Sequence, residues 1–230
     1  MRDMLYSSTF LGVMISLLAY YLGAKLKQKF KLAIFNPLLI SIIAVIIFLL
    51  AFRIDYDTYY EGAKYISYLL TPATVCLAVP LYQQLEALKR NWKAIIAGIL
   101  SGTLTSLLSV LAMAAALGLN HEKYVTLLPK SITTAIGMGV SEELGGIVTI
   151  TVAVIIITGV FGNMIAETVC KVFHIEDPVA KGIAIGTSSH AVGTTKAMEM
   201  GQVEGAMSSL SIVVAGILTV IGASVFANFM

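Results

Sequence analysis

The chain has 230 residues, 58% of them hydrophobic and 12% charged, with a formal net charge of +2 and a mean hydropathy of +0.90. Soluble domains carry about 25% charged residues, so this composition excludes a soluble enzyme and a disordered chain. So small a net charge leaves no electrostatic footprint for nucleic acid. What remains is an all-α polytopic membrane protein, read as a single integral membrane domain over residues 1–230.

Six stretches contain no Asp, Glu, Lys or Arg: Met4–Ala24, Leu32–Phe52, Tyr65–Leu85, Ala94–Asn120, Gly145–Ala166 and Gly205–Met230, each of 21 to 27 residues. About 20 helical residues cross a hydrocarbon core of about 30 Å, so each reads as a full span. Alternation of the kind expected for a membrane β-barrel is absent. The first stretch exceeds a signal-peptide core, is followed by Lys25, Lys27, Lys29 and Lys31, and has no small-residue cleavage site ahead of it. It is therefore expected to stay as a span.

Basic residues set the expected orientation. The four lysines of the first loop face the cytoplasm. The second loop, with Asp55, Asp57 and Glu61, faces out, and the third, with Lys89, Arg90 and Lys93, faces in. The N-terminus is then outside. Tyr56, Tyr59, Tyr60, Tyr65 and Trp92 read as interface anchors. Cys76 and Cys170 form no disulfide framework or metal-ligand spacing, and no cofactor motif is present.

The half up to residue 123 reads as a four-span scaffold; the half from 124 to 230 carries two polar elements. Pro129–Gly139 is too short and too polar for an ordinary span. Gly186–Thr195 holds five hydroxyls, one imidazole and two glycines, within a charge-free run, Gly182–Thr195, of only 14 residues. That run is about 21 Å if helical. Both read as interrupted or re-entrant helices, because unwound backbone at membrane depth needs protein or a water-filled cavity around it. Tight helix packing through small residues is the alternative explanation for each.

The two elements also resemble each other. At an offset of 56 residues, Ala135, Gly137, Glu143 and Gly145 match Ala191, Gly193, Glu199 and Gly201. An internal duplication leaves such a trace, and paired interrupted segments point to a transporter site. If both elements dip in and return, they enter from opposite faces, and Lys171, Lys181 and Lys196 share the cytoplasmic side. Lys plus Arg, Lys130 set aside, then count ten inside against four outside, which suits the positive-inside rule.

Ionisable residues at membrane depth are expensive and mark function. Lys130 is the candidate carboxylate partner, and His190, whose imidazole ordinarily titrates near neutrality, is a candidate proton carrier. Glu143, Glu199 and Lys196 border the elements as further coupling candidates.

The segments Leu128–Thr134 and Gly186–Thr194, the run Lys196–Gly201 and then Glu204–Ser208 resemble the LrgB/CidB family over nearly the whole chain, in length and span order. The first motif departs slightly, with Ala135 where the family pattern has proline. The resemblance implies a bacterial inner membrane and a small membrane partner of the LrgA/CidA type, in a homo- or hetero-oligomer. It also implies one of two functions. One is an antiholin-like control of murein hydrolase export and lysis; the other is passage of small monocarboxylates such as pyruvate, glycolate or glycerate, for which proton coupling is a further expectation. For the second, Lys130, Ser131, Thr133, Thr134, Ser188, Ser189, Thr194 and Thr195 are the expected carboxylate-binding groups, with His190 binding or coupling. No cofactor and no catalytic residue are expected, since no acidic residue stands in a recognisable triad order with the hydroxyls and His190.

Overall fold

A computed structural model describes residues 10–30 and 35–230. Residues 4–9, 32–34 and Lys31, which belong to the first two expected spans and the first loop, lie outside the described residues, as does the N-terminus. Every regular element described is helical: α1 Leu11–Phe30, α2 Pro37–Phe52, α3 Tyr56–Ser67, α4 Leu70–Cys76, α5 Ala78–Gln83, α6 Leu85–Leu117, α7 His121–Leu127, α8 Thr134–Glu143, α9 Val148–Val172, α10 Pro178–Met200 and α11 Gln202–Phe226, with a closing 3₁₀ turn Ala227–Phe229. Two compact units result, Met1–Cys76 and Leu77–Met230.

Among the described residues, three helices are long and apolar enough to cross a membrane: Leu85–Leu117, Val148–Val172 and Gln202–Phe229. The bent pair Tyr56–Ser67 with Leu70–Gln83 brings the number to four if it is one span. The expected span Tyr65–Leu85 is not one straight helix. A proline ring excludes the carbonyl four residues earlier, and Pro72 and Pro80 do this to Tyr68 and Cys76, where α3 gives way to α4 and α4 ends. The first expected span runs on through Lys25, Lys27 and Lys29 to Phe30, while α2 has 16 residues, about 24 Å.

In the first unit, α1 lies backbone-close on α3. A Cβ on Gly12 would strike the Tyr59 carbonyl and the Ala63 amide, and the Ser16 hydroxyl is 2.7 Å from the Tyr59 hydroxyl.

In the second unit, α6 ends at Gly118 in the left-handed conformation (φ 62°), a common helix stop. Asn120 then caps α7, its side chain accepting from the Lys123 amide at 3.2 Å. α7 breaks at Leu128–Thr133, and α8 returns beside it. A Cβ on Gly137 would lie 3.6 Å from that of Pro129, and Thr126 and Ser141 both meet Thr151 in the first turn of α9. The Thr151 hydroxyl is 2.9 Å from the Thr126 carbonyl and 2.7 Å from Ser141 Oγ. The first polar element is therefore the tip of a helical hairpin rooted at the start of α9.

α10 also reverses, at His190 (φ 42°, ψ −142°). Ile185 and Ala197 belong to one core cluster with Ala166, although twelve residues of straight helix would separate them by about 18 Å. A Cβ on Gly193 would lie 3.0 Å from Ile185 Cγ2. The roots of this hairpin, Lys181 and Lys196, share a cleft with Glu167 and Lys171 at the end of α9. Thr151 and Glu167 are 16 positions apart on α9, about 24 Å along its axis, so the two hairpins enter from opposite ends.

Each hairpin is followed by a span. α9 leaves the root of the first, and α11 leaves the root of the second and ends where the Tyr124 hydroxyl donates to the Phe226 carbonyl at 3.0 Å. Hairpin plus span thus occurs twice with opposite sense, and the 56-residue offset lays the return helix α8 on the return half of α10. Apolar clusters close both ends. Leu107, Val110, Tyr124, Leu128 and Ala223 pack at the first hairpin; Ile95, Ile99, Ile183, Ala206 and Met207 pack at the second.

Candidate functional site

The hairpin tips overlap alongside the middle of α9. Beside them lies a cavity of about 450 Å³, lined by Lys130 from the first hairpin, Ser188 and Ser189 from the second, and Thr158 and Gly162 from α9. Ile157, Phe161, Ile165, Val169, Ala184 and Ile185 form its apolar walls. Ligand pockets typically measure about 300–1,000 Å³ and combine such walls with a few converging polar groups.

Lys130 is half-buried. Its Nζ donates to Ser131 Oγ at 3.0 Å, and Ser106 Oγ donates to the same oxygen at 3.0 Å. No carboxylate lines the cavity among the described residues. The ammonium therefore has two protons beyond the one that Ser131 accepts.

The second tip is held open by its own backbone chemistry. Ser188 Oγ donates to the Ala184 carbonyl at 2.7 Å and lies 3.1 Å from Ser189 Oγ. Gly162 makes the approach possible, since any Cβ there would collide with Ser189 Oγ. His190 is 3% exposed, and its Nε2 donates to the Ile155 carbonyl at 3.0 Å. A carbonyl only accepts, so the partner assigns the proton to Nε2. Positive φ in a non-glycine residue costs about 1–3 kcal/mol and persists only where its surroundings hold it. Here the ring bond does so, together with Gly159, where a Cβ would sit 2.6 Å from His190 Cε1.

The expected site residues divide by position. Lys130, Ser188 and Ser189 meet at the cavity, with Ser131 behind Lys130. Thr133 and Thr134 are half-buried at the start of α8, outside the cavity lining. Thr194 is buried between helices, its Oγ1 2.9 Å from the His190 carbonyl and 2.7 Å from Ser208 Oγ. Thr195 donates to the Val192 carbonyl at 2.8 Å. Glu143 and Glu199 are exposed. Lys196 lies 2.9 Å from Glu167 and 3.5 Å from Glu199.

Asn163 carries no expectation from sequence, because it sits unremarked in the charge-free run Gly145–Ala166. Its Nδ2 donates to the Val192 carbonyl at 2.8 Å and to Thr195 Oγ1 at 2.9 Å. Its signal was a lone amide in an otherwise aliphatic span. Gly182 and Gly186 do the packing that small residues suggest: a Cβ on Gly186 would lie 2.9 Å from Ser208 Cα.

Fold and site together define a multi-pass helical membrane protein with two opposed helical hairpins, whose tips flank an open pocket that carries Lys130. The chain belongs to the LrgB-like family, whose pattern it matches over residues 16–229. It is 36% identical over 222 residues to the antiholin-like protein LrgB of Bacillus cereus strain B4264, covering 96% of each chain. The same figures hold for the antiholin-like protein LrgB of Bacillus anthracis strain A0248. No solved structure matches it.

Proposed function

We propose that the protein passes small monocarboxylates across the membrane, with Lys130 holding the carboxylate between the hairpin tips and Ser189 donating to one of its oxygens. The observation that carries this reading is a lysine with no carboxylate partner among the described residues, in a cavity that both hairpins reach. The apolar walls suit the short carbon chain of a keto- or hydroxy-acid such as pyruvate, lactate or glycolate. Paired interrupted segments of opposite sense are a recurring transporter arrangement.

The relatives' name speaks for a second reading more directly than for the first: a regulator of lysis that acts with a small membrane partner of the LrgA type. Nothing in that name mentions a carboxylate. A regulator that conducts nothing has no need of a polar lining at membrane depth.

In both readings the chain sits in the bacterial inner membrane as an oligomer. Lys171, Lys181 and Lys196 face the cytoplasm and the N-terminus lies outside. α1, α2 and the interrupted stretch of residues 56–83 supply the remaining three of six spans. We assign no catalytic role, since the His190 ring and the Ser188 hydroxyl already bond backbone carbonyls.

Purified protein in liposomes, assayed for uptake of labelled pyruvate, lactate and glycolate, separates the readings. Uptake that Lys130→Ala abolishes supports the carrier. No movement of any of the three, with Lys130→Ala altering lysis in cells, overturns the carrier in favour of the regulator.

A further inference from the structure

The C-terminus of α9 closes by turning back on itself. The His174 amide donates to the Lys171 carbonyl at 3.2 Å and the Ile175 amide to the Cys170 carbonyl at 2.8 Å, with His174 in the left-handed region at φ 53°. This paired closure commonly lays the residue after the left-handed position against the residue whose carbonyl accepts its amide. Ile175 and Cys170 stand in that relation, and both line the Lys130 cavity.

Both also line the cleft of about 510 Å³ at the root of the second hairpin, so the two spaces share a wall. The cleft is open, and its lining lysines, Lys171, Lys181 and Lys196, put it on the side that basic residues assign to the cytoplasm. A further cavity, of about 590 Å³ between α6 and the outgoing half of α10, has Ile175 and Ala184 in its lining. Ile175, half-buried, therefore borders all of these spaces. A side chain forfeits dispersion contacts wherever its neighbour is a void. Ile175 is thus held less firmly than a core residue, and it has room to swing off Cys170.

We infer that Ile175, closed against Cys170, is the gate between the Lys130 cavity and the cytoplasmic cleft, an assignment that rests on the carrier reading. The gate is steric and apolar. While it is closed, a carboxylate at Lys130 is screened from cleft water. Once Ile175 moves into the neighbouring space, the carboxylate leaves past Cys170. A residue on the route, outside the binding site, governs the rate of passage and leaves the affinity for the carboxylate alone.

The test uses the full chain with labelled pyruvate as the probe. Binding is read on detergent-purified protein, with excess unlabelled pyruvate as the blank, and passage is read as counterflow in liposomes. Ile175→Trp thickens the wall. It should keep binding within about twofold and slow counterflow at least about tenfold. Ile175→Gln and Ile175→Glu, nearly equal in volume, separate route from packing. A negative charge beside a passing anion raises its barrier, so the Glu variant should be slower than the Gln variant by about threefold or more, at equal melting temperature. Wild-type counterflow in Ile175→Trp overturns the gate, as does loss of its pyruvate binding. Equal rates for the Gln and Glu variants overturn it too. Absence of counterflow in wild type removes the carrier reading, and the gate with it.

Discussion

The His190 imidazole donates through Nε2 to the Ile155 carbonyl at 3.0 Å, and this bond pins the tip of one hairpin to the middle of α9. A histidine that reads from sequence as a proton carrier has its Nε2 proton engaged in holding a reversed backbone. Positive φ favours glycine over alanine by about 1 kcal/mol. Both His190→Ala and His190→Gly should lower thermal stability in detergent through loss of the ring bond, with His190→Gly the less damaged. A larger loss for the glycine variant, the ordinary result inside a helix, contradicts the reversal at this residue.

Re-entry of α10 is open to direct chemistry. With Cys76 and Cys170 replaced by alanine, cysteines at Ile185 and Gly193, where a Cβ would lie 3.0 Å from Ile185 Cγ2, should cross-link on mild oxidation and shift mobility after proteolysis between them. In a straight helix these positions stand about 12 Å apart, beyond disulfide reach.

Gly162 and Gly139 form a matched pair. A Cβ on Gly162 collides with Ser189 Oγ, whereas one on Gly139 meets nothing within 4 Å. Gly162→Ala should cost about 1–3 kcal/mol and distort the cavity. Gly139→Ala, exposed in α8, should be neutral or stabilising by up to about 1 kcal/mol. Thermal melts of both, with carboxylate counterflow, check the contrast.

Lys130→Met keeps most of the side-chain volume and removes the charge. Hydrogen bonds to charged groups contribute about 1.5–3 kcal/mol, so carboxylate affinity should fall roughly tenfold to a hundredfold, measured as the concentration for half-maximal counterflow. Melting temperature should change little, because one bond to Ser131 is lost and no ion pair is broken. Unchanged affinity places the carboxylate elsewhere.

Much of the candidate site was legible in the chain because its background is so clean. Lys130 and Ser188–Ser189 stand out in stretches otherwise free of charge, and the weak 56-residue repeat marks the two elements that prove to be hairpin tips. Thr133, Thr134, Thr194 and Thr195 were legible as polar residues at membrane depth, yet sequence could not say which hydroxyls turn to backbone carbonyls, because an i−4 carbonyl is always available to a helical threonine. Asn163 escaped notice because a single amide barely lowers the hydropathy of a 25-residue helix.

Composition alone determined that this is a helical membrane protein, since so few charges over so many apolar runs leave no soluble alternative. Glycine and proline positions determined that the later half contains interruptions. Tertiary structure decided the rest: that α10 folds back on itself at His190, that the tips meet beside Lys130, and that Lys196 lies against two carboxylates. Reversal at His190 depends on a carbonyl thirty-five residues away and on the space left by Gly159. Such long-range contacts leave no periodicity in the chain for a reader to find.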